Sequence, residues 1–185
     1  MVRVPAHMKK LAIGQRAPDF DLPGVDGHDC ALASYKGKRA IVVVFTCNHC
    51  PYAQAYAARL IALQHDFADQ AVQFIAINPN DSAGYPEDSF DSMVAHAKHH
   101  QLNFPYLRDV TQRVAHAYGA EYTPEAYVLD AKFQVRYIGR VDDNWQHPDK
   151  ARSHDLREAI TAVLAGQPVV NPLTHAIGCT IKWKY

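Results

Sequence analysis

The spacing of apolar side chains changes along the chain, and each change marks an element. Residues 41–45 read Ile-Val-Val-Val-Phe, an unbroken run that suits a strand covered on both faces. From Pro51 onward the spacing becomes three and four. Ala53, Tyr56, Ala57, Leu60, Leu63, Gln64 and Phe67 share one stripe, with Arg59, His65 and Asp66 off it. That period predicts an amphipathic helix, and proline suits its first position. Residues 72–77 form a second buried-strand run, completing a βαβ unit with a right-handed crossover. A polar loop over 78–86 leads to a predicted helix over 87–100, with Phe90, Met93, Val94 and Ala97 on one face. A shorter helix over 110–118 stops at Gly119. Residues 125–129 and 134–138 flank a polar turn and predict a hairpin. The last helix spans 154–164, with Leu156, Ile160, Val163 and Leu164 apolar. Residues 15–34, rich in Pro, Gly and Asp, read as extended pieces joined by turns. The order is βαβ, a helical insertion, then ββα, with a tail over 166–185.

Composition narrows what such a chain does. Its 185 residues suit one domain, with a core over about 13–165. Nineteen Lys+Arg balance nineteen Asp+Glu, which excludes nucleic-acid or membrane-surface binding by bulk positive charge. No apolar run approaches the roughly 20 residues of a spanning helix. Residues 1–14 carry Arg3, Lys9 and Lys10 but no apolar stretch of signal-peptide length, so a cytoplasmic location is expected. Four cysteines, Cys30, Cys47, Cys50 and Cys179, are too few for a disulfide scaffold.

The chemistry concentrates at Cys47-Asn48-His49-Cys50, between a buried strand and a helix start. Free N–H groups and the helix dipole favour negative charge there, which lowers a thiol pKa. A thiolate is the nucleophile of disulfide exchange. The expected roles are attack by Cys47 and resolution by Cys50. His49 would stabilise the Cys47 thiolate and make the pair more oxidising. Half a zinc site is the competing reading, but a structural site takes four ligands and the other cysteines are single and distant. His96 and His100 share a helical spacing that suits metal ligands, yet no third ligand accompanies them in sequence, and a solvated face is the simpler reading. No metal or bound cofactor is expected.

These motifs resemble the thioredoxin-like redoxins of the alkyl hydroperoxide reductase/thiol-specific antioxidant superfamily. The resemblance runs over about 13–165. It begins with Gly14-Gln15-Arg16-Ala17-Pro18-Asp19-Phe20 and includes Tyr35-Lys36-Gly37-Lys38. Phe45-Thr46-Cys47-Asn48-His49-Cys50-Pro51-Tyr52 resembles a bacterial subgroup. So do residues 85–89 (YPEDS), 139–145 (GRVDDNW) and the tail over 177–183 (IGCTIKW). The resemblance implies an α/β thioredoxin-like fold, a central mixed sheet flanked by helices. It also implies a cis-proline at Thr123-Pro124 facing the cysteine turn, with the Thr123 backbone open to a substrate strand. The implied activity is thiol–disulfide exchange with a protein or small-molecule partner. Thiols would come from an upstream reductant such as a thioredoxin or glutathione system.

Two alternatives stand beside it: a thiol-dependent peroxidase using Cys47, and a metal-binding or copper-chaperone module. The Pro-x-x-x-Thr-x-x-Cys frame of peroxiredoxins is absent, since Val43 stands seven before Cys50. Ile41 occupies the place of the buried aspartate of thioredoxin, so a proton acceptor must come from elsewhere, with Glu121 and Glu125 as candidates. Cys179 reads either as a relay thiol folded back over the turn or as a small apolar anchor for the tail. Cys30 reads as structural. Tyr52, Trp145 and Trp183 would line a groove or anchor the core.

Overall fold

The extended pieces expected over 15–34 pair as a small antiparallel hairpin, β1 (Asp21–Pro23) and β2 (Asp29–Ala31), in a computed structural model that describes residues 8–184. The first seven residues of the N-terminal extension, Arg3 among them, lie outside the described residues. The unbroken apolar run is β3 (Ala40–Phe45), every residue of it buried. Its position explains the pattern, since it is the middle strand of five. After α1 (Pro51–Phe67), β4 (Val72–Asn78) pairs parallel to β3, as the βαβ reading requires.

The next stretch is not purely helical. One 3-10 turn over Pro86–Asp88 precedes α2 (Phe90–His100), because Ser89 caps the helix by accepting the Ser92 N–H. The expected start at Glu87 is therefore three residues early. Of the expected apolar face only Met93 is buried, while Phe90 and Val94 lie at the surface. A strand that the pattern did not disclose follows, β5 (Tyr106–Arg108), parallel to β4. Three residues containing an arginine give no periodic signal. Arg108 is tolerated inside because it donates to the carbonyls of Asn78 (3.0 Å) and Asn80 (2.7 Å). The following helix, α3, runs Arg113–Tyr118 rather than from Val110, with Gln112 in the left-handed region just before it. Next come the two-residue β6 (Tyr122–Thr123), the expected hairpin of β7 (Glu125–Asp130) and β8 (Val135–Gly139), and α4 (Asp155–Leu164). The main sheet has the order β5-β4-β3-β7-β8 and is mixed, because β7 runs antiparallel to β3.

Alternate residues of β3 feed opposite layers, as the strand period dictates. Ala40, Val42 and Val44 pack on Tyr56, Leu60 and Leu63 of α1 and on Leu156 and Ile160 of α4. Ile41, Val43 and Phe45 pack with Tyr118 of α3, Tyr127, and Ile181 and Trp183 of the tail. Each such side chain contributes about 1.5–3 kcal/mol on burial. The tail is thus part of the core. Its strand, β9 (Cys179–Thr180), pairs antiparallel with β6. None of the described helices is long and apolar enough to cross a membrane.

Candidate active site

The turn between β3 and α1 holds both cysteines at the helix start, where backbone N–H groups have no helical partner. Cys50 is the N-cap residue of α1, and Cys47 sits three residues before it. Both are free thiols and nearly inaccessible, 2% and 0% exposed. Across from them, the Thr123-Pro124 peptide is cis. The Thr123 hydroxyl lies 3.3 Å from Cys47 Sγ, and the Thr123 carbonyl oxygen lies 3.2 Å from Cys50 Sγ. The expected placement of Cys47, Cys50, Thr123 and Pro124 around one point is therefore found.

The charge is distributed differently from expectation. The neighbouring Cys47 thiol pulls the Cys50 thiol well below its ordinary range, against the opposing effect of burial. The Cys179 side chain and the N–H groups of Ala53 and Cys179 add to that pull. Cys47 is pushed up by the neighbouring Cys50, by burial and by the nearby Asp88 carboxylate, while the Thr123 hydroxyl opposes the rise. The helix-start N–H of Ala53 thus adds to the pull at the N-cap sulfur, behind the larger effect of Cys47.

Asp88 is the main residue that the sequence reading missed. Its carboxylate is fully buried and accepts four hydrogen bonds. They come from the Asn48 N–H (2.7 Å), His49 Nδ1 (2.5 Å), Asn78 Nδ2 (3.1 Å) and Asn80 Nδ2 (2.9 Å). His49 therefore faces Asp88 and is held in a fixed orientation, its ring stacked on Tyr85 at 4.9 Å. One donor atom each from Cys47, His49 and Asp88 lies within 4.8 Å of the others. Among the described residues this is the one grouping with metal-ligand character. Both Asp88 oxygens are already occupied twice, so a cation would have to displace protein donors. The YPEDS segment was the available signal, since it supplies the stacking tyrosine, the carboxylate and the cap of α2. The carboxylates expected as proton acceptors lie elsewhere in the bonding network. Glu125 pairs with Lys10 and accepts the Glu121 N–H at 2.8 Å.

The remaining candidates separate cleanly. Tyr52 packs on Trp145 at 4.5 Å beside the cysteines, whereas Trp183 is buried in the core as a tail anchor. The GRVDDNW segment holds Trp145 there. Arg59 donates to Asp142 (2.6 Å) and to the Trp145 carbonyl (2.6 Å), and Arg140 to Asp155 (2.8 Å). Cys30 sits in another cluster, 3.2 Å from the Tyr35 hydroxyl. His96 and His100 touch one another, and burial drives the His96 pKa down to about 4. Cys179 lies against the pair, packed on the cluster of Cys47, Cys50 and Ala53. The Thr123 backbone, expected to be open to a substrate strand, is occupied by β9, with Thr123 opposite Cys179.

Residues 13–138 match the model of the AhpC/TSA family. The chain belongs to that family. Its fold is thioredoxin-like, and the reading as a thiol-dependent oxidoreductase holds. An uncharacterized conserved protein from Geobacillus kaustophilus superposes with a TM-score of 0.88 at 39% identity, covering 94% of this chain and 93% of that one. The thiol-disulfide oxidoreductase ResA of Geobacillus kaustophilus is 28% identical over 130 residues, 69% of each chain. Peroxiredoxin Bcp of Bacillus subtilis is 26% identical over 132 residues, 70% of this chain and 73% of its own. The family match ends before the GRVDDNW segment and the tail.

Proposed function

We propose that the protein exchanges disulfides with thiol-bearing substrates, cycling Cys47 and Cys50 between dithiol and disulfide. The observation that carries this reading is the pair itself: two free thiols at a helix start, both within 3.3 Å of Thr123 beside the cis-proline. In the cycle, the Cys50 thiolate attacks a substrate disulfide and the first leaving thiolate takes up a proton. Cys47 then gives up its proton and displaces the second substrate sulfur. The products are the Cys47–Cys50 disulfide and two thiols, so atoms and electrons balance. Attack by Cys50 reverses the order expected from the motif alone.

The likeness to ResA supports a disulfide substrate, and an upstream dithiol or glutathione would return the pair to its reduced form. Peroxiredoxin relatives make peroxide the competing substrate. Against it, Val43 and Cys47 stand where the peroxiredoxin frame has proline and threonine. Trapping tests the proposal. In a Cys179→Ser background, which removes the third neighbouring thiol, Cys47→Ser should accumulate mixed disulfides on Cys50 when mixed with a disulfide-bonded protein substrate, and Cys50→Ser should lose turnover. In that background, trapping on Cys47 in Cys50→Ser, with none on Cys50 in Cys47→Ser, would restore the motif-based order. Rapid peroxide consumption with no disulfide exchange would replace the reading altogether.

A further inference from the structure

The tail places a third thiol against the pair. Cys179 packs against the cluster of Cys47, Cys50 and Ala53, and its backbone stands opposite Thr123, whose carbonyl oxygen lies 3.2 Å from Cys50 Sγ. This contact is built rather than incidental. The tail pairs with β6 through Thr123↔Cys179 and Tyr122↔Thr180. The Ile181 N–H donates to the Glu121 carbonyl at 2.9 Å. The Lys182 N–H donates to Asn80 Oδ1 at 2.9 Å, and its carbonyl accepts from Gln112 Nε2 at 2.8 Å. Ile181 and Trp183 are buried below the strand. At position 178 only glycine fits, since an added Cβ would stand 2.3 Å from the Thr123 carbonyl oxygen. The backbone edge beside the cis-proline is thus filled from within the chain, and the residue paired with Thr123 is a cysteine.

We infer that Cys179 is a third redox thiol, and that the oxidised protein holds a Cys50–Cys179 disulfide in exchange with Cys47–Cys50. The inference rests on the disulfide-exchange reading above and extends it. The step is an internal rearrangement. Cys179 attacks Cys50 Sγ of the Cys47–Cys50 disulfide, the Cys50–Cys179 bond forms and the Cys47–Cys50 bond breaks. The proton released by Cys179 passes to the departing Cys47 thiolate. No outside oxidant is consumed beyond the substrate disulfide that made Cys47–Cys50. Cys47 is then a free thiol while the oxidising equivalents reside in the tail.

Non-reducing peptide mapping tests this. Trypsin leaves Cys47 and Cys50 together in residues 40–59 and Cys179 in residues 158–182, so only a disulfide to the tail links the two peptides. After equilibration in a glutathione redox buffer and acid quench, wild type should show the linked peptides alongside the Cys47–Cys50 form. In Cys47→Ser the linked form should dominate over glutathionylated Cys50, because a neighbouring thiol has a high effective concentration. Gly178→Ala should lower the linked fraction several-fold while Cys47–Cys50 still forms. If wild type forms Cys47–Cys50 but Cys47→Ser yields only glutathionylated Cys50 with Cys179 free, this inference is wrong and disulfide exchange stands. If wild type forms no protein disulfide at all, both fall.

Discussion

Replacing Asp88 by asparagine tests how the site is held. The carboxylate is an acceptor only, and four N–H donors converge on it. An amide keeps one oxygen and presents an NH2 group to the other two donors. With the oxygen toward Asn48 and Asn78, the NH2 group faces His49 and Asn80. His49 adapts by changing tautomer. Asn80 does not adapt freely, because turning its amide breaks the bond from the Lys182 N–H at 2.9 Å. One buried donor is thus left unpaired, at about 1–3 kcal/mol. The surviving bonds also lose their charge assistance, about 1 kcal/mol each. The sum is a loss of roughly 3–5 kcal/mol, out of a total stability of ~5–15 kcal/mol for a typical domain. Urea unfolding of the reduced protein, followed by fluorescence of Trp145 and Trp183, measures it at constant slope. The melting temperature should fall by about 6–20 °C. A loss below about 1 kcal/mol would refute the reasoning, since it would mean that no donor had been left unpaired.

Three further outcomes follow from the same geometry. Gly178→Ala, by pressing a methyl group against the Thr123 carbonyl, should lift the tail and raise the rate at which Cys50 reacts with a small thiol reagent. An unchanged rate would show that the tail does not limit access. Thr123→Val removes the hydroxyl 3.3 Å from Cys47 Sγ that favours its thiolate, so alkylation of Cys47 should slow, and an unchanged rate would count against that bond. Stability of the reduced form should also depend on pH. The Cys50 pKa is depressed on folding, so its stabilisation is complete above the unfolded value of about 8.5 and is lost as pH falls toward the folded value. The urea midpoint should therefore rise from about pH 5 to pH 8, and Cys50→Ser should remove that part of the slope.

Much of the architecture was legible because burial on both faces leaves a direct imprint. β3 and α1 carry unbroken and three-four patterns, and their predicted bounds differ from the observed ones by at most one residue. Legibility failed where a side chain acts against its usual preference. Arg108 hides in a three-residue strand because two carbonyls satisfy it, and Asp88 hides in the core because four N–H groups do. Neither arrangement is periodic, and both depend on partners brought in from other elements. The cysteine pair was visible from its spacing, but its charge distribution was not. That balance comes first from the two cysteines on each other and from burial, and then from Asp88 and a tail cysteine more than a hundred positions downstream.

The order of the chain has a consequence for biosynthesis. Every strand of the five-stranded sheet, and both cysteines of the turn, precede residues 177–183. A nascent chain emerging from the ribosome can therefore build the α/β layers while Ile181 and Trp183 are still missing from the face they cover. At that stage the only neighbouring sulfur available to Cys50 is Cys47. The three-thiol arrangement comes into being last, so the newly made protein passes through a two-thiol form before its tail seals the site.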